Sequence, residues 1–156
     1  MGKSFVSVLD DVLEPAAWIH EGAPGCDMDQ GAIAAFCGVC RSENGRIEAL
    51  ELEHYPGMAE AEMTRIADIA VDRFDLLSVL VVHRTGVVPV GEPIVVVAAH
   101  SLHRDAAFDA VRFLMDYVKT DAPFWKREVL AGGVRGPWVE AKDSDNVARE
   151  TWALTG

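Results

Sequence analysis

The sequence predicts an α+β fold, on three observations. Val-rich apolar runs at Leu76–His83 and Pro93–Ala99 have strand character. Two long segments, Met58–Phe74 and about His103–Lys119, repeat apolar residues at helical spacing. The element order that results, β-α-β-β-α-β-β-α-β-β-α, is not the single alternation of an all-parallel sheet.

Each element follows from local pattern. Lys3–Leu9 alternates like a short strand, and Asp11–His20 reads as a short helix capped by Asp10 or Asp11 and stopped by Gly22. Gly31–Cys40 is an apolar strand. Asn44-Gly45 is a hairpin signal into Arg46–His54, whose Ile47-Glu48-Ala49-Leu50-Glu51-Leu52-Glu53 alternation leaves one face wet. Pro56-Gly57 breaks that strand, and a helix over Met58–Phe74 presents Met58, Ala61, Ile66, Ile69, Ala70 and Phe74. The two Val-rich strands flank a Gly/Pro turn region. The long helix presents Ala107, Phe108, Val111, Leu114, Met115 and Val118, and Asp121-Ala122-Pro123 stops it. Phe124–Leu130 and Pro137–Ala141 form a strand pair around Gly132-Gly133, and a last short helix starts near Ser144.

Composition narrows the function classes. A chain of 156 residues, half of them hydrophobic and a quarter charged, suits one soluble domain over 1–156. No apolar run approaches the roughly 18 residues of a membrane span. The first residues lack the pattern of a secretory signal, so no membrane partner and a cytoplasmic location are expected. The net charge of −11 argues against nucleic acid. Residues 100–136 nevertheless hold six basic and five acidic side chains, with His100 and His103 in addition. A local anion site and an ordinary fluctuation account for that window equally well. Cys26, Cys37 and Cys40 make no disulfide framework. Cys37-Gly-Val-Cys40 lies on a strand, where i and i+3 face opposite ways, so buried structural thiols are expected and no metal site.

The most informative stretch is Met115–Glu128. It sets Lys119 and Lys126 on either side of a helix stop, crowded by apolar and aromatic residues. A lysine held against apolar surface loses proton affinity, the condition for amine chemistry near neutral pH. The competing reading is two surface lysines whose stems lie over aromatic rings. Ser101-Leu102-His103-Arg104 opens the long helix, where free N–H groups and an Arg fork suit a phosphate or carboxylate; alternatively both side chains simply face solvent. Arg41 ends the apolar strand as either an anion contact or a loop residue. At the His54-Tyr55-Pro56-Gly57-Met58 corner a packed Tyr and a Pro-Gly turn are expected, and His83 reads as a satisfied structural histidine. No Ser/His/Asp arrangement, glycine-rich phosphate loop or metal motif is present, so the candidate groups are cationic.

Several blocks together carry a family resemblance: Leu52-Glu53-His54-Tyr55-Pro56-Gly57-Met58, Val82-His83-Arg84, Ser101-Leu102-His103-Arg104, Met115-Asp116-Tyr117-Val118-Lys119-Thr120, Ala122-Pro123-Phe124-Trp125-Lys126-Arg127-Glu128 and Trp138-Val139-Glu140-Ala141. In this order they resemble the large, catalytic subunit of molybdopterin synthase. The resemblance implies an α/β hammerhead-type fold with a mostly antiparallel sheet and no resident cofactor. It also implies a homodimer within a heterotetramer, each large subunit docking a small ubiquitin-like sulfur-carrier subunit. The carrier's Gly-Gly tail, a C-terminal thiocarboxylate, delivers sulfur to cyclic pyranopterin monophosphate, and two transfers make the dithiolene of molybdopterin. By motif position the site residues are Arg41, His103, Arg104, Lys119, Lys126, Arg127 and Glu128, with Lys119 and Lys126 catalytic. Where the family strand ends Gly-Lys-Val-Arg, this chain has Gly38-Val39-Cys40-Arg41.

One constraint sharpens that expectation. His103 and Lys119 sit at opposite ends of one helix, roughly 24 Å apart at about 1.5 Å per residue. A monophosphorylated pterin is only about 10–12 Å long on bond geometry. If all these residues serve one ligand, His103 and Arg104 come from the other protomer of a twofold dimer. Arg127 and Glu128 alternate faces, so one of the two is expected to meet substrate, and Glu128 is expected to orient a lysine. The rival classes are a non-catalytic adaptor for a ubiquitin-like protein and an unrelated phosphate-ligand enzyme or sensor.

Overall fold

The computed structural model describes residues 2–21, 29–139 and 147–152. In chain order the elements are β1 (Lys3–Leu9), α1 (Pro15–Glu21), β2 (Ala32–Val39), β3 (Ile47–His54), α2 (Met58–Phe74), β4 (Ser78–Arg84), β5 (Gly86–Pro89), β6 (Pro93–Ser101), α3 (Arg104–Thr120), β7 (Phe124–Leu130) and β8 (Val134–Val139). Residues 147–152 add a short helical segment. The strands form two four-stranded sheets, ordered β1-β4-β6-β2 and β5-β3-β7-β8. Among the described residues only the β1–β4 pairing is parallel, and the other pairings are antiparallel. The α+β class and the mostly antiparallel sheet are both as expected.

The central strands of the first sheet, β4 and β6, are buried on both faces, which explains their unbroken apolar runs. On one face Val79, Val81, Val95, Val97 and Ala99 pack against Met63, Ile66 and Ala70 of α2 and Ala110, Phe113, Leu114 and Val118 of α3. On the other, Leu80, Val82, Val96 and Ala98 meet Leu13, Trp18 and Ile19. Every residue of β4 is buried as a result. The second sheet carries a smaller cluster, in which Cys40 joins Leu52 and Val88.

Four local expectations are corrected. Asn44-Gly45 does not close a hairpin. Glu43, Asn44 and Gly45 all have positive φ and the chain reverses there, but it passes from β2 in the first sheet to β3 in the second. The turn signal is correct and the pairing is decided elsewhere: β6 satisfies β2, while β5 and β7 satisfy β3. The Gly/Pro turn region contains β5, too short to show periodicity, which is recruited by pairing with Ala49–Leu52. Helix α2 buries Ala59, Met63, Ile66, Ala67, Ala70 and Val71, leaving Met58 57% and Ile69 40% exposed. Tyr55, expected to pack, is 63% exposed. Gly57 of the same corner has φ 87°, and its N–H donates to Glu60 Oε2 at 2.8 Å, so the turn role stands. The expectations for Cys26 and for a helix start at Ser144 lie outside the described residues.

Helix α3 divides its apolar residues. Ala107, Ala110, Phe113, Leu114 and Val118 are buried, whereas Phe108 is 64% exposed. Phe113→Ala should therefore lower stability by about 3–5 kcal/mol. Phe108→Ala should change it by no more than about 0.5 kcal/mol. Denaturant midpoints of the two variants measure the contrast.

A cleft beside the long helix as candidate active site

The outward stripe of α3 forms one wall of a cleft of about 1280 Å³. Phe108, Val111, Met115 and Lys119 succeed one another at spacings of three or four, so they share a helix face. Opposite them stand Phe36, Cys37 and Val39 of β2, then Leu50 and Leu52 of β3, and Lys126 and Glu128 of β7. The cleft thus lies where the two sheets part, between an edge strand of the first and the cleft-facing side of the second.

Three devices bring its polar groups together. Lys119 is the basic residue in the last turn of α3, where the helix dipole favours a cation. Ala122 is buried and Pro123 ends helical geometry, so β7 begins at Phe124 beside the helix end. Pairing with β3 sets Lys126 opposite Leu52 and Glu128 opposite Leu50, on the cleft side. Arg41 is placed by its neighbour: Cys40 N–H donates to Glu92 O at 3.0 Å and Cys40 O accepts from Gly91 N–H at 2.7 Å. The Cys40 side chain is buried, which pushes its thiol pKa up. Cys37 lines the cleft instead, so the two thiols of the CxxC face different surroundings. Val39, where the family pattern has lysine, lines the cleft as an apolar side chain.

Arg41, Lys119, Lys126 and Glu128 all line this one cleft. His103, Arg104 and Arg127 do not. His103 is the N-cap of α3 and Arg104 its first residue, both exposed at the helix end remote from Lys119. Arg127 turns to the other face of β7, where its Nε donates to Glu51 Oε2 at 2.8 Å and its guanidinium lies 4.5 Å from the Trp138 ring centre. Glu51 also accepts from Arg135 Nε at 2.7 Å, and the two guanidiniums draw its pKa down to about 2. Glu128 is held chiefly by Arg46, through bonds of 3.1 and 2.7 Å; Lys126 adds a lesser attraction to the same carboxylate. Its expected pairing with a lysine is therefore secondary to an arginine that sequence reasoning did not single out.

Sequence reasoning also missed the walls. Phe108, Val111 and Met115 read as core because their spacing is helical, yet the same spacing continues into Lys119. An apolar stripe that runs onto a lysine was the available signal. His83 is a structural histidine, as expected, and a cleft residue as well. Its ring stacks on Phe124 at 3.9 Å between centres, and Nδ1–H donates to Arg84 O at 2.9 Å. The His54 ring centre lies 5.9 Å from that of Phe124, and its Nε2 lies 3.4 Å from Glu60 Oε1. Burial lowers the His83 pKa to about 4, with smaller contributions from His54 and Lys126 nearby.

Residues 9–121 match the model of the MoaE protein family. The chain is 56% identical over 142 residues, 91% of its length, to the molybdopterin synthase catalytic subunit of Mesorhizobium japonicum, 87% of which is covered. Among solved structures, the molybdopterin biosynthesis MoaE protein from Burkholderia ambifaria superposes with a TM-score of 0.80 at 36% identity, covering 98% of this chain and 99% of that one. A chain of the protein–protein complex of subunits 1 and 2 of molybdopterin-converting factor from Helicobacter pylori shares the fold, with a TM-score of 0.69 at 21% identity, covering 88% of this chain and 90% of that one. The fold and the sequence are those of a sulfur-transferring enzyme subunit of molybdenum cofactor biosynthesis. The chain belongs to the MoaE family of molybdopterin synthase catalytic subunits.

The buried histidine makes stability pH-dependent. Because its folded pKa of about 4 lies below the ordinary 6.5, the unfolded chain takes up the proton first as pH falls. The contribution of neutral His83 is complete above about pH 6.5 and is lost between about 6.5 and 4. Thermal midpoints across that range should fall more steeply for the native chain than for His83→Asn.

Proposed function

We propose that sulfur passes in this cleft from the C-terminal thiocarboxylate of a small ubiquitin-like carrier subunit to cyclic pyranopterin monophosphate, two transfers completing the dithiolene of molybdopterin. The observation that carries the reading is the meeting of Lys119 and Lys126, from a helix end and the strand after it, in one apolar-walled cleft with Arg41. Apolar walls strengthen the pull of these cations on an anion, since less water screens them. An extended Gly-Gly tail, which has no side chains to seat, suits a cleft lined by Phe36, Phe108 and Met115.

The roles follow from charge and position. Lys119 stabilises the negative charge that develops as sulfur leaves the acyl carbon, and Lys126 binds substrate and transfers protons. Arg41, His103 and Arg104 hold the phosphate and part of the pterin. The last two act from a second copy of the chain, because α3 spans about 25 Å between its ends. Each complete site then spans two protomers, and the working assembly is a homodimer of these chains with one carrier on each, acting in the cytoplasm. Among the described residues no helix is long and apolar enough to cross a membrane. Glu128 contributes at the cleft and Arg127 from behind it.

Lys119→Ala should leave the chain folded and lower dithiolene formation by about 10²-fold or more, assayed with thiocarboxylated carrier and pyranopterin monophosphate. Turnover retained in the folded variant would remove Lys119 from the centre, and an inactive native chain would make it an adaptor. A second experiment addresses the shared site. Mixed dimers of Lys119→Ala chains with His103→Ala/Arg104→Ala chains should recover activity that neither parent dimer has, because one of the two composite sites is then intact. No recovery would mean that each chain carries its own complete site.

A further inference from the structure

The basic residues that line the cleft are not spread evenly. Lys119 is in the last turn of α3, and Lys126 is the third residue of the strand that starts beside that turn. Arg41 follows the end of β2. Because β2 is antiparallel to β6, and α3 turns back over β6 after only two residues, helix and strand run the same way. Arg41 therefore lies at the Lys119 end as well. Arg112 also lines the cleft, is exposed, and stands apart from these three. It falls outside every motif that carries the family resemblance.

The helix fixes its position. From Arg112 to Lys119 is seven residues, a rotation of about 700° and a rise of about 10–11 Å, so the two share a face two turns apart. Met115 lies between them on that face, three residues from one and four from the other, and Val111 and Phe108 continue the apolar wall beside Arg112. Across the cleft stands Phe36. It pairs with Val97, one of the sheet residues that meet α3, so its side chain is on the helix side. A Cβ at Gly38 would stand 3.4 Å from the Phe36 ring, so the missing side chain there leaves the ring room to lie along the strand. Between the lysine and the arginine the cleft is a slot with apolar walls.

We infer that Arg112 is a specificity-determining contact for the pterin ring of the substrate: its guanidinium donates to the carbonyl oxygen of the 2-amino-4-oxo ring while the sulfur-accepting carbons lie at Lys119. The inference rests on the reading of Lys119 as the reacting end of the site. In a cyclic pyranopterin monophosphate the phosphate is closed onto the pyran ring that accepts sulfur, and the 2-amino-4-oxo edge is the opposite end, about 10 Å away. The charged end of such a molecule suits the end of the cleft that holds Arg41, Lys119 and Lys126. The flat neutral rings suit the apolar slot, and their far edge needs a donor at the distance where Arg112 stands. A guanidinium fits that edge because its N–H groups lie in one plane and it sheds water more easily than an ammonium. Phosphate binding and ring recognition are then separate tasks of the two ends of one cleft.

The test uses the full chain assembled with its thiocarboxylated carrier. Arg112→Ala should raise KM for cyclic pyranopterin monophosphate about tenfold and change kcat by less than about twofold, since a hydrogen bond from a charged donor is lost and the reacting end is untouched. The thermal midpoint shows that the chain is folded, as expected for an exposed side chain. Two inhibitors separate the ends of the site. 6-Hydroxymethylpterin, a pterin without phosphate, should inhibit the variant about tenfold more weakly than the native enzyme, whereas inorganic phosphate should inhibit both equally. A native KM in Arg112→Ala, equal inhibition of both enzymes by 6-hydroxymethylpterin, or weaker inhibition of the variant by inorganic phosphate overturns the proposal. Lys119→Ala run alongside separates the two readings. If it retains turnover, the site assignment fails; if it is inactive while Arg112→Ala behaves as native, only this inference fails.

Discussion

The site depends on how α3 is seated on the first sheet. Ala107, Ala110, Phe113, Leu114 and Val118 lock one face of the helix against Val81, Val97 and their neighbours. That contact fixes the helix rotation, and rotation leaves Phe108, Val111, Met115 and Lys119 on the open side. A rotation of one residue, about 100° at 3.6 residues per turn, would carry Lys119 off the cleft. The seating is stiff because small residues, Ala107 and Ala110, bring the helix close, and Phe113 fills the space between the helices.

The second requirement is a gap, and the change of sheet between β2 and β3 creates it. Had Asn44-Gly45 closed a hairpin, β3 would have lain beside β2 and covered the edge that now lines the cleft. The second sheet instead starts afresh, and β7 returns along β3 with Lys126 and Glu128 facing the opening. Two backbone bonds between Cys40 and the Gly91–Glu92 turn hold the crossing point. The lysine of the helix and the lysine of the strand come from different sheets' surroundings and meet only because of this crossing.

Electrostatics then divides the labour within an acidic chain of net charge −11. Four acidic residues line the cleft, and three of them are met by groups that do not: Glu128 by Arg46, Asp121 by Arg149 and Asp116 by the indole N–H of Trp152. On the far face of the second sheet Glu51 is shared by Arg127 and Arg135, so these cations are occupied in joining β3, β7 and β8. Arg127 therefore belongs to the support of the strand that carries Lys126. The neutral His83–Phe124 stack supports the start of the same strand from within, where a charged imidazole would be costly.

Much of this was legible from the chain itself. Helical and strand periods located α2 and α3 and the Val-rich strands, because local backbone preference and one-sided burial leave marks at short range. The ordered motifs pointed to the family, and helical rise alone separates His103 from Lys119. Strand alternation put Arg127 and Glu128 on opposite faces. What the sequence did not contain was the partner of each element. Strand β5 exists only through its pairing with β3; the hairpin signal at Asn44-Gly45 was locally correct and globally misleading; Phe108 is apolar for a cleft, and Met115 serves both the cleft and the core it packs on. The pairing of Glu128 with Arg46, and of Asp116 with Trp152, joins residues 82 and 36 positions apart. Periodicity reports which residues share a face, while only tertiary packing decides what that face meets, since contacts between distant segments leave no regular spacing to read.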